Sequence, residues 1–271
     1  MRKTKMKKKF LGTFTLLCAG LLAACGANAE ETVKVGVVGE NNDAWEHVRD
    51  VVAEDGINLE IVTFSDYQTP NTALAEGDLD LNAFQTVIFL DSFNEDTGND
   101  LTPIADTTLN PLGIYSEQVE DVADIQEGDT IAIPNDASNE GRALKLLQFA
   151  GLIEVDPEKG NYPLIEDITS NPLNLEIVAI ASNQTARSLS DTTAAVINVG
   201  MAVDAGYIPS EDAIFLESAE GDTEPYINAI VARSEDTDNE TYQQIVEAYQ
   251  TDEVKEIIAE TTQNSSIPVW E

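Results

Sequence analysis

An α/β fold is predicted for this chain by three observations. β-branched runs such as "TVKVGVV", "NLEIVTF" and "DTIAIP" alternate with segments whose apolar residues recur at helical spacing. The alternation occurs in two successive units of similar content, which suggests two lobes, and no strict repeat joins them as in a solenoid or propeller. Hydrophobic residues make up 42% of the sequence, enough for a core and too many for general disorder. Alternating strands and helices lead to the expectation of largely parallel sheets.

Taken in order, "TVKVGVV" predicts a strand. "NDAWEHVRDVVAEDG" predicts a helix, with Trp45, Val48, Val51 and Val52 on one face, Asn42 or Asp43 as its cap and Gly56 at its end. The strand "NLEIVTF", a turn over "SDYQTPN" and a short helix from about Thr72 follow. The next stretch, "DLDLNAFQTVIFLDSF", is an apolar island in an acidic chain. In the second unit "DTIAIP" is a strand and "SNEGRALKLLQFAG" a helix capped by Ser138 or Asn139. "NLEIVAI", "TAAVIN", "DAIFLES" and "YINAIVAR" are further strands. "TYQQIVEAYQTDEVKEIIAETT" gives two amphipathic helices, with Asp252 as a cap between them.

The first residues predict export. Arg2, Lys3, Lys5, Lys7, Lys8 and Lys9 precede the run "FLGTFTLLCAGLLAAC", which is short for a membrane span and ends in small residues. Residues 1–24 are expected to be a signal peptide and residues 25–31, Cys25 and the polar segment after it, a tether. Cys18 would leave with the leader, so the mature chain would hold one thiol and no internal disulfide. Six of the 14 Lys and Arg lie in that leader, leaving eight cations against 50 anions and a formal charge of −42. A surface of that sign repels phosphate, which makes nucleic acid and bare anionic lipid poor partners.

Signatures of catalysis are sparse. The mature chain has no internal nucleophilic Cys, and its one histidine, His47, reads as a surface residue of an amphipathic helix. Nucleophile elbow, phosphate loop and zinc-ligand pair are missing from the sequence, and no cofactor is implied. "DTDNETYQQIVE" has calcium-loop spacing, but Thr241 stands where the sharp-turn glycine belongs and a helix follows directly. Arg142 is more informative. It falls in the first turn of the helix after "DTIAIP", where it opposes the helix dipole by about 0.3–1 kcal/mol. Two readings stand on these residues: a local salt bridge to Asp136 or Glu140, or a receptor for a ligand carboxylate at the carboxyl end of a strand.

Together, "VKVGVVG", "VTFSDYQTPNTALAEGDLDLNAFQ", "NPLGIYS", "IAIPNDASNEGRALKLLQFAGLI", "AVIN", "EPYINAIVAR" and "AYQTDEVKEII" resemble the methionine-binding lipoproteins of the NlpA family, over essentially the whole mature chain. The resemblance extends to the ending "LLAAC", which is similar to the bacterial lipobox and implies acyl chains on Cys25. It implies a two-lobed periplasmic-binding-protein fold, type II-like, with residues 32–113 and 228–271 as lobe one and residues 114–227 as lobe two. It also implies a monomeric, membrane-anchored binding protein that delivers methionine or a close analogue to an ABC permease and its ATPase. The alternatives are another apolar amino acid, a methionine-containing dipeptide, or a surface lipoprotein that has kept the fold without a transport role.

By the same resemblance Arg142 grips the ligand carboxylate, Asn198 and Asn228 bond the amino-acid head group, and Tyr67 and Phe84 surround its side chain. Thr86 and Phe89 stand where the family usually has His and Tyr, so both would face the cleft without an imidazole or a phenol. Leu81, Ile88 and Leu90 are read as core.

Overall fold

The computed structural model describes residues 31–221 and 223–271. The expected leader and Cys25 lie outside them. The first group of elements is β1 (Glu31–Val38), α1 (Asp43–Ala53), β2 (Ile57–Phe64), α2 (Pro70–Glu76), β3 (Leu81–Thr86), α3 (Val87–Thr97) and β4 (Thr102–Leu109). The second is β5 (Gly113–Tyr115), β6 (Thr130–Pro134), α4 (Ala137–Phe149), β7 (Glu154–Val155), β8 (Ile168–Ser170), β9 (Glu176–Ile180), α5 (Thr185–Ser188), β10 (Ala194–Ile197), α6 (Val199–Asp204), α7 (Pro209–Asp212) and β11 (Phe215–Leu216). The chain then returns through β12 (Ile227–Ala232), α8 (Glu240–Tyr249), α9 (Asp252–Thr261) and β13 (Ile267–Pro268).

The strands form a six-stranded sheet, β13-β4-β12-β3-β1-β2, a five-stranded sheet, β11-β5-β10-β6-β9, and the small pair β7-β8. Both large sheets are mixed, which corrects the expectation of largely parallel ones. β1 runs parallel to β2 and β3, and β6 to β9 and β10, through helical crossovers. β12 is antiparallel to β3 and β4, and β5 is antiparallel to β10 and β11. β5 and β12 arrive from the other sheet without a packed βαβ crossover, so nothing holds them to the parallel direction.

Each sheet has its own core. Val33, Val35 and Val37 of β1 pack with Trp45, Val48 and Val52 of α1 and with Ile245, Val254 and Ile258 of α8 and α9. The final helices thus pack back on the first sheet. Ile131 and Ile133 of β6 pack with Leu144 and Leu147 of α4. Leu81, Ile88 and Leu90 are buried, as read from sequence.

Local chemistry moves several expected boundaries. α2 begins at Pro70 rather than Thr72, because proline is preorganised for the first helical turn and needs no N-H partner there. α4 is capped by Asp136, whose carboxylate accepts the Asn139 N-H at 3.0 Å, in place of Ser138 or Asn139. α9 is capped by Thr251 rather than Asp252, its hydroxyl accepting the Val254 N-H at 3.3 Å. Asn42 holds the cap position of α1 but turns its amide to the Gly39 carbonyl, 3.1 Å away. "DAIFLES" reduces to the two residues of β11.

Candidate functional site

A cavity of about 190 Å³ opens between the two sheets, and all seven ligand-binding residues named from sequence line it. Tyr67 comes from the turn before α2, Phe84 and Thr86 from the end of β3, and Phe89 from the first turn of α3. Phe84 and Thr86 are two apart on one strand, which puts them on the same face. Asn228 of β12 sits opposite Thr86 in antiparallel register. The second sheet supplies Arg142 from α4 and Asn198 from the end of β10. Sequence reasoning did not assign Asn110 and Asn139 to the lining, where the structure places them. Both lie inside quoted motifs, and Asn139 was read only as a cap.

One half of the cavity is aromatic. The rings of Tyr67 and Phe84 stack at 5.9 Å, and Phe89 meets them edge-on at 6.3 and 5.8 Å. Such pairs add roughly 0.5–1.5 kcal/mol each beyond area burial, so the three rings form a preorganised wall. Burial holds the Tyr67 hydroxyl far above its ordinary pKa, reinforced by Asp136 and Asp204 and opposed by Arg142. The group is therefore a neutral donor. The Thr86 hydroxyl oxygen accepts the Phe89 N-H at 3.4 Å and caps α3.

The other half is polar. Asn198 donates its amide N-H to Asn139 Oδ1 at 2.9 Å, while Asn198 Oδ1 and Asn110 Oδ1 are buried without a protein donor. Buried acceptors left this way cost about 1–3 kcal/mol unless something donates to them. Arg142, only 4% exposed, pairs with neither Asp136 nor Glu140. It is held by Glu217, with Nε 3.1 Å from Oε1, and it donates to the Asn110 carbonyl at 2.9 Å. Asp136 is instead occupied by neutral donors from Ser138, Asn139 and Ser182, and Glu140 accepts the Ile165 N-H.

Elsewhere, the His47 imidazole, 23% exposed, lies 3.8 Å from Glu253 and outside the cavity. The segment with calcium-loop spacing is occupied otherwise: Asp236 pairs with Arg233 at 2.7 Å, and Asn239 caps α8. Among the described residues no group of three or more His, Cys, Asp and Glu has the geometry of a metal site.

The sequence profile of the family described as NlpA lipoprotein matches residues 33–270. The chain belongs to the NlpA lipoprotein family. A relative from Escherichia coli (strain K12), the D-methionine-binding lipoprotein MetQ, is 37% identical over 269 residues, covering 97% of this chain and 98% of its own. Among solved structures, a nutrient binding protein from Burkholderia cenocepacia bound to methionine is 39% identical with a TM-score of 0.84, covering 88% of this chain and 100% of its own. The substrate binding protein of a methionine transporter from Streptococcus pneumoniae is likewise 39% identical with a TM-score of 0.84, covering 88% and 96%. The fold of this NlpA lipoprotein is thus the two-lobed, type II-like fold of periplasmic binding proteins, and the aromatic and amide-lined cavity lies in the cleft between its lobes.

Proposed function

We propose that this NlpA lipoprotein captures methionine outside the cytoplasm and delivers it to an ABC permease driven by its ATPase. The reading rests on one observation: a buried guanidinium and two buried amide oxygens without donors face an aromatic wall across one small cavity. Arg142 suits an α-carboxylate, and Asn198 and Asn228 suit the head group, with the free Asn198 oxygen accepting from an α-ammonium. The rings of Tyr67, Phe84 and Phe89 suit a polarizable thioether, for which sulfur–aromatic contact is favourable. Both ends of a zwitterion need partners once buried, and the cavity has them.

In this reading residues 32–113 with 228–271, and residues 114–227, are lobes that close on the ligand, and the closed form is what the permease recognises. The chain acts as a monomer held to the membrane by acyl chains on Cys25, and it binds without catalysing a reaction.

Calorimetry on mature protein, unfolded and refolded to remove bound ligand, tests the reading with L- and D-methionine. Binding by the wild type and its loss by 100-fold or more in Arg142→Ala are expected. No binding by any amino acid or dipeptide overturns it. A second reading, capture of another apolar amino acid, is supported by Thr86 and Phe89, which bring no imidazole or phenol to the wall. The cavity of about 190 Å³ is below the ~300–1,000 Å³ usual for drug-sized ligands, which favours one amino acid over a dipeptide.

A further inference from the structure

Glu217 lies outside the cleft cavity, yet it bonds the cation that lines it. It follows β11, at the start of the segment that returns to the first sheet, and its backbone pairs with Leu112 in the other connecting segment. The Glu217 N-H donates to the Leu112 carbonyl at 2.8 Å, and the Leu112 N-H donates to Glu217 Oε2 at 2.9 Å. The same carboxylate receives Nε and one terminal nitrogen of Arg142 side-on. That terminal nitrogen also donates to the Asn110 carbonyl, in the first connection, and the guanidinium carbon stands 4.4 Å from the ring centre of Tyr226, at the end of the second. One guanidinium therefore touches both connections at once.

Orientation follows from this. Among the described residues, Nε and Nη2 of Arg142 have protein acceptors and Nη1 has none, which leaves Nη1 free for a ligand oxygen. A planar fork clamped along one side and stacked on a ring has little freedom left to lose when a ligand arrives. The charges also balance. Arg142 and Glu217 cancel, so a zwitterion, itself neutral, enters without leaving a net buried charge.

We propose that Glu217 is a positioning residue, which aims Arg142 at the ligand carboxylate and ties that aim to the two connections between the lobes. The proposal rests on the methionine reading given above for the cleft. Loss of the carboxylate frees the fork to rotate, so a ligand that depends on the fork weakens and one that does not is spared.

The test compares wild type and Glu217→Gln, both stripped of ligand, by calorimetry with L-methionine and L-methioninamide, which lacks the carboxylate. Expected is at least a 10-fold weaker Kd for methionine, with less than a 2-fold change for the amide. Equal weakening of both, as a merely structural role gives, overturns the proposal, as does unchanged or tighter methionine binding. Should Glu217→Gln not fold, the wild type carries the test by NMR. The Arg142 Nε-H is expected to resist hydrogen exchange both without and with methionine, and rapid exchange in the unliganded protein overturns the proposal. Failure of the wild type to bind methionine overturns the reading of the cleft, while the exchange measurement still decides the clamp on its own.

Discussion

Asp204, the last residue of α6, joins the second lobe to the first by accepting the backbone N-H of Glu40, 3.1 and 3.2 Å from its two oxygens. Beside it the Asn183 amide donates to the Ser65 carbonyl at 2.9 Å, a second bond between lobes. Burial raises the Asp204 pKa, and the N-H groups of Glu40 and Asn41 only partly offset this. Gly39, at φ 97°, brings the chain so close that a Cβ there would meet the Asp204 carboxylate.

The sign of the pH effect follows from that direction. A carboxyl raised in the folded state contributes stability fully below its ordinary value of about 3.9, and that stability is lost as pH rises through the raised value. Asp204→Asn keeps an acceptor for Glu40 and removes the titration. Its Tm relative to wild type is therefore expected to climb as pH is raised from about 4 to 7. A difference that stays constant over that range removes Asp204 as the source.

Asn198 presents its free oxygen to the cleft while its amide nitrogen is fixed by Asn139. Asn198→Ala is expected to weaken methionine binding roughly 5- to 150-fold, matching the ~1–3 kcal/mol of one lost buried partner. Calorimetry reads the change, and thermal melting should show the fold intact. Unchanged affinity means that this oxygen does not meet the ligand.

Thr86 and Phe89 are linked through the cap of α3, at a long 3.4 Å, and Phe89 completes the aromatic wall. Thr86→Ala is expected to cost stability near the low end of the roughly 0.5–2 kcal/mol usual for a lost cap. Thr86→His with Phe89→Tyr places an imidazole and a phenol at the wall and is expected to change the ranking of methionine among apolar amino acids in a competition assay. An unaltered ranking and affinity shows that these positions do not tune the cavity.

Asn71, Asn82 and Gln85, the last of which also lines the cavity, form a buried amide cluster. Asn71 and Gln85 exchange hydrogen bonds at 2.6 Å, and both also bond Asn82, at 2.8 and 2.9 Å. The cluster ties α2 to β3, the strand that carries Phe84 and Thr86. Asn71→Leu leaves Gln85 Oε1 and Asn82 Nδ2 without their partner, each worth about 1–3 kcal/mol when unpaired, while Gln85 keeps its bond to Asn82. Urea unfolding is expected to register a loss above ~2 kcal/mol, and a smaller loss implies that water replaces the amide.

Several features were legible because they are local. The valines of β1, the spacing of Trp45, Val48 and Val52 on α1, and the amphipathic faces of α8 and α9 are fixed by period and burial, whereas Val51, read on the same face of α1, is exposed. Caps were less legible, since Asp136, Ser138 and Asn139 all have the chemistry and only the backbone decides which side chain folds over. Strand direction was not legible for β5 and β12, because pairing between sheets does not leave a local pattern.

Arg142 marks the division most clearly. Sequence alone determined that a scarce cation stands near the start of a helix after a strand, and it determined the family pattern around the cleft. The cap at Asp136 puts Arg142 in the second turn of that helix rather than the first. Its carboxylate partner was decided by the tertiary structure alone. Glu217 lies 75 residues away, and no propensity or periodicity reaches across that distance. A salt bridge is chosen by which groups the packed connections bring within bonding range. That choice exists only once α4, β11 and the two connections are packed together.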